Sequence, residues 1–132
     1  MQSSLQAAYD EVPRSLRRWF LIHFMADLIA SVPLIIFPQI VLHLLGISET
    51  GTFTARLVGA AMFAIGTSSL IMSKKSVHHI DSLLTTKIVW ASTAVISILL
   101  SLKELPAYSV VIILPPFILF LSVWIYYKVR WL

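Results

Sequence analysis

One acidic residue stands inside an otherwise apolar run: Asp27, eight residues after Trp19, with His23 one helical turn before it. A carboxylate surrounded by hydrocarbon is costly, so it needs a counter-charge, a proton or a wet cavity. His23, at i−4, shares its helix face. Lys87 interrupts a later apolar run that enters the same side of the bilayer. Counting helical rise from the flanking boundary puts His23 at ~6 Å, Lys87 at ~7 Å and Asp27 at ~12 Å depth. The three are expected to form one intramembrane polar layer. Two chemistries follow. Asp27 could pair with Lys87 or His23 and lock two helices together, or it could exchange a proton or a lipophilic cation. A His and an acid four residues apart also suit acid–base chemistry on a lipid-like substrate, in a pocket opened by proline kinks. Otherwise there is no nucleophilic triad with convincing spacing, no glycine-rich phosphate loop among the four glycines, and no cysteine. A catalytic residue cannot be named.

The elements that must hold this layer are set by composition. Of 132 residues, 58% are hydrophobic and 12% charged, with mean hydropathy +0.89. A soluble domain carries about twice that charged share. The reading is an all-α polytopic membrane protein built as a four-helix bundle. Spans are expected over about Trp19–Phe37, Phe53–Met72, Ser82–Leu102 and Tyr108–Tyr127. Residues 1–18 form a juxtamembrane segment, in which Leu5, Ala8, Tyr9 and Val12 suit a short surface helix. Pro38–Leu45 is too short to cross and reads as an interfacial helix stopped by Gly46, followed by a polar turn over Ser48–Thr52. Pro33, Pro115 and Pro116 each remove a helix amide and favour bends.

Basic residues orient the chain. Arg14, Arg17, Arg18, Lys74, Lys75, Lys87, Lys128 and Arg130 fall toward one side and only Arg56 and Lys103 toward the other, so both termini are expected in the cytoplasm. Trp19, Tyr108, Tyr126, Tyr127 and Trp131 lie near the expected interfaces. The net charge of +4 fits flanks facing anionic headgroups and does not indicate nucleic acid. Arg17-Arg18-Trp19-Phe20-Leu21 resembles part of a twin-arginine signal but reads as a topogenic flank, because only more membrane follows it, and cleavage is not expected because Pro38–Val41 offers no small-residue site.

Two further groups of residues stand out. Arg56 and Glu104 both fall near the outer boundary, where they could pair, or the arginine could reach lipid phosphate. Gly59 and Gly66, with a second row of Ala60, Ala64 and Ser68, offer close helix approach, as does the row Thr93, Ser97 and Ser101. His78 and His79, in the expected inner loop, lack ligand geometry, so no metal site is expected, and His43 stands alone.

Phe37-Pro38, Leu44-Leu45-Gly46-Ile47, Arg56-Leu57-Val58-Gly59-Ala60 and Gly66 together resemble the DoxX-like group of small four-helix bacterial and archaeal membrane proteins. That resemblance implies a compact four-helix fold in a prokaryotic cytoplasmic membrane. In some members it implies a subunit of a membrane oxidoreductase complex working near quinone. Arg56 and Gly59 map onto its structural element.

With about 50 residues left outside the spans, function is expected within the bilayer or at its faces. The first expectation is an accessory or interaction protein, forming a homo-oligomer or joining a larger membrane complex, with lipid or quinone contact and no evident cofactor of its own. The second is a proton-coupled exporter of lipophilic cations, since four spans and one acid in the first also describe small multidrug-resistance transporters. Their acid is a glutamate, and their weak charge bias differs from the strong one here. The third is the intramembrane enzyme.

Overall fold

The computed structural model describes residues 1–4, 7, 12–47 and 51–131. From Arg14 onward they form helices α1 (Arg14–Ile36), α2 (Pro38–Leu44), α3 (Thr52–Met72), α4 (Val77–Leu100) and α5 (Ala107–Trp131). No described residue is in a strand. Helices α1, α3, α4 and α5 are long and apolar enough to cross a membrane. At 1.5 Å per residue they reach roughly 32 to 38 Å, beyond the ~30 Å hydrocarbon core. The chain is an all-α integral membrane protein with four candidate spans.

Short connections alternate helix direction. The starts of α1 and α4 therefore share one end of the bundle with the finishes of α3 and α5; this is the terminal end. The opposite end, holding α2, is the distal end.

Helix limits follow local chemistry more than hydropathy. α1 starts at Arg14, directly after Pro13, and α4 starts at Val77, after the extended Ser76. Both begin about a turn before the apolar boundaries expected from sequence, because basic and polar residues join the first turn without leaving the headgroup region. α5 likewise continues to Trp131. α1 breaks at Phe37, whose amide bonds to the Pro33 carbonyl at 2.7 Å, and Pro38 opens α2 with no amide to donate. α2 ends in a Schellman turn: Gly46 N–H reaches the His43 carbonyl and Ile47 N–H the Leu42 carbonyl. Gly46 has φ +62°, and a Cβ there would collide with Tyr108 and Pro106. Pro33, Pro115 and Pro116 all lie inside continuous helices. The surface helix expected before Val12 and the turn at 48–50 fall mostly outside the described residues.

Two helix pairs make the bundle. α1 packs mainly on α3, and α4 mainly on α5, while α3 and α4 touch only slightly. Glycines bring the first pair close. A Cβ on Gly59 would meet Leu34, Ile35 and the Ser31 carbonyl, and one on Gly66 would meet Asp27. Without water to exclude, such close approach supplies the dispersion contacts that hold membrane helices together.

The pairs join firmly at the terminal end. Leu16 and Phe20 from α1, Ile80, Leu83 and Leu84 from α4, and Trp124 and Tyr127 from α5 form one buried cluster. Arg17 adds hydrogen bonds to the Ser73 and Lys75 carbonyls, after α3. Lys128 on α5 reaches Asp81 and Thr85 on α4. At the distal end a narrower tie exists, where fully buried Ser109 donates to the Leu45 carbonyl. Between these ends, no residue of α4 from 92 to 100 and none of α5 from 110 to 123 is buried.

Candidate functional site

Three helices bring the polar layer together. α1 supplies His23 and Asp27 from one face, α4 supplies Lys87, and α5 covers them with Phe120 and Trp124. His23 Nδ1 lies 2.9 Å from Asp27 Oδ2 and 3.2 Å from Lys87 Nζ. Exposure is 6% at His23, 8% at Asp27 and 1% at Lys87, so bulk solvent does not screen them. Asp27 fits because α3 presents Gly66 opposite, leaving a slot that any larger residue would fill.

Aromatic rings close the layer. His23 meets Phe120 edge-on at 4.5 Å and Trp124 at 5.3 Å between centroids. The Lys87 ammonium sits 5.3 Å from the Trp124 ring centroid, in cation–π range. Phe20 stacks on the same indole at 5.4 Å. These contacts exclude water from around the charges, and the low local dielectric strengthens their mutual attraction.

The chemistry hinges on one ring nitrogen. His23 Nδ1 can accept from Lys87 or donate to Asp27, but not both at once. Both neighbours are within hydrogen-bond distance of the buried Nδ1, so the ring's protonation decides whether Asp27 is held by a hydrogen bond or by charge alone. Trp124 Nε1 is buried without a described partner.

The other candidate residues are distributed differently. Arg56 and Glu104 do not pair: among the described residues the ion pairs are His23–Asp27 and Lys128–Asp81. Arg56 Nε instead donates to the Ile35 carbonyl at 3.2 Å. That carbonyl is left open by the helix break at Phe37, and a cation suits the negative end of α1. Glu104 is exposed in the turn after α4. Of the small residues, Gly59 and Gly66 face α1, whereas Ala60 and Ala64 are exposed. Thr93 and Ser97 are exposed too, and their hydroxyls bond back to the Val89 and Thr93 carbonyls. His78 and His79 are in the first turn of α4 instead of a loop. His79 Nδ1 is 3.1 Å from Ser76 Oγ. No cluster of three metal-ligating residues occurs among the described residues.

The aromatic walls and the Lys128–Asp81–Thr85 contact were not anticipated from sequence. Spacing offered a signal for the first: Phe20, His23 and Asp27 share a helix face, as do Phe120, Trp124 and Tyr127. The second joins residues 47 apart, for which spacing gives none.

No protein-family model, curated protein or solved structure matches this chain.

Proposed function

We propose that this chain is an accessory or interaction protein of the membrane. It would associate laterally with a second copy or with a larger complex, its termini in the cytoplasm. The observation that carries the reading is the uneven packing. Over two and a half turns of α4, residues 92–100, and about four turns of α5, residues 110–123, no residue is fully buried; the most enclosed are half-buried. Helices this long usually bury a face against neighbours, and the only neighbours available in a bilayer are lipid, a ligand or another protein. In this reading the Asp27–His23–Lys87 layer is the lock that holds α1 to α4, and the exposed distal faces of α4 and α5 are the contact surface. A lipid or quinone could share that surface, as the DoxX-like resemblance implies.

The absence of cysteine makes a direct test simple. Single cysteines at Ile96, Ile112 and Leu119 should cross-link to a second copy or to a neighbour of defined mass in native membranes. Cysteines at Ile22 and Met25, exposed near the terminal end of α1, should not. Blue-native electrophoresis in mild detergent should show a species well above 14.8 kDa. A monodisperse monomer with no cross-link at any distal position would refute the proposal.

The shared nitrogen of His23 favours a second reading, exchange of a proton against a lipophilic cation at Asp27. Tetraphenylphosphonium should then bind with release of protons in wild type and without release in Asp27→Asn. Equal proton release from both would exclude it.

A further inference from the structure

At the distal end the break between α1 and α2 leaves an open recess of about 190 Å³, lined in part by Phe37, Gln39, Ile40, Thr52 and Arg56. We infer that this recess binds the phosphate of an anionic phospholipid, with Arg56 as the counter-charge.

The arginine is aimed but not spent. Its Nε donates to the Ile35 carbonyl, and its side chain lines the recess. Neither of its terminal amino groups has a partner among the described residues. A guanidinium offers five N–H donors in a planar fork, which matches the oxygens of a phosphate. Gln39 and Thr52 add an amide and a hydroxyl at the same wall.

Position selects lipid over a soluble anion. The recess lies where α1 ends and α3 begins, at the level of headgroups for spans of this length. Phe37, Ile40 and Phe53 are exposed apolar residues beside it, a surface suited to the glycerol backbone and upper acyl chain. Charge selects the headgroup. Among the described residues, none that lines the recess is acidic, so none of them would hold the ammonium of choline or ethanolamine. A headgroup with phosphate alone leaves no charge unpaired.

The test uses the full chain in vesicles of equal parts phosphatidylglycerol and phosphatidylcholine, extracted mildly and weighed by native mass spectrometry. Wild type should retain phosphatidylglycerol in preference, and Arg56→Gln should lose it about tenfold, the effect of one charge-assisted contact. Gln39→Leu should lose less, and Arg56→Lys should retain part. Arg14→Gln removes a charge from the opposite end and should leave the preference close to wild type. Millimolar inorganic phosphate should not displace the lipid. Equal retention of the two lipids, unchanged retention in Arg56→Gln, or displacement by free phosphate would each overturn the inference. Should Arg56→Gln fail to fold, Arg56→Lys and Gln39→Leu carry the decision: wild-type retention in both would overturn it.

Discussion

Replacing Lys87 by methionine leaves an unbranched side chain one heavy atom shorter and takes the ammonium out of the polar layer. The consequence can be sized from geometry. His23 Nδ1 lies 3.2 Å from Lys87 Nζ and 2.9 Å from Asp27 Oδ2, so the opposite charges are at most about 6 Å apart. At an effective dielectric of about 20 that attraction is worth roughly 3 kcal/mol. Removing one member strands the other in a buried site, so Lys87→Met alone should destabilise the fold by about 3 to 5 kcal/mol. Asp27→Asn should cost a similar amount for the mirrored reason. The double variant has no stranded charge and should cost no more than either single change. The cycle would then show a coupling of about 3 kcal/mol. Reversible unfolding in mixed micelles, followed by far-UV circular dichroism and by tryptophan fluorescence, measures all four proteins. Single variants within about 0.5 kcal/mol of wild type, with additive effects in the double, would refute the claim that the layer is a charge-coupled lock.

Other consequences follow from the packing. Gly66→Ala puts a Cβ 2.7 Å from the Asp27 Cβ and 3.1 Å from its Oδ2, so α1 and α3 must separate; the same unfolding assay should register a loss of about 1 to 3 kcal/mol. Ala60→Leu and Ala64→Leu, on the exposed face of α3, should leave monomer unfolding within about 0.5 kcal/mol of wild type. Ser109→Ala removes the distal hydrogen bond to Leu45 and should cost about 0.5 to 1.5 kcal/mol. Hydrogen exchange should then rise first around Leu45 and Ser109, before the terminal-end cluster responds.

Much of the fold was legible because hydrocarbon tolerates few polar groups, which makes apolar runs and their exceptions conspicuous. Asp27, His23 and Lys87 stood out for that reason, and helical rise alone put them at comparable depth. Helix limits were less legible: hydropathy marks where lipid begins, whereas α1 and α4 begin where Pro13 and Ser76 permit a first turn. The small-residue rows show another limit. Gly59 and Ala60 are adjacent, only about 100° apart around the helix, and spacing alone cannot say which faces the neighbour. Of the two sequence readings of Arg56, a pair with Glu104 or a reach to lipid phosphate, neither considered a backbone acceptor. An unfilled carbonyl at Ile35 lay nearer, and its existence depends on the break at Phe37.

The separation of the polar layer along the chain bears on biogenesis. His23 precedes Lys87 by 64 residues. At synthesis rates of about 5 to 20 residues per second, the ribosome needs roughly 3 to 13 s to deliver the lysine after the histidine. Through that interval the nascent first segment carries its acid with only the imidazole one turn away for company. Insertion therefore includes a waiting period in which a proton, a water defect or an insertase has to shelter Asp27 until the third crossing arrives.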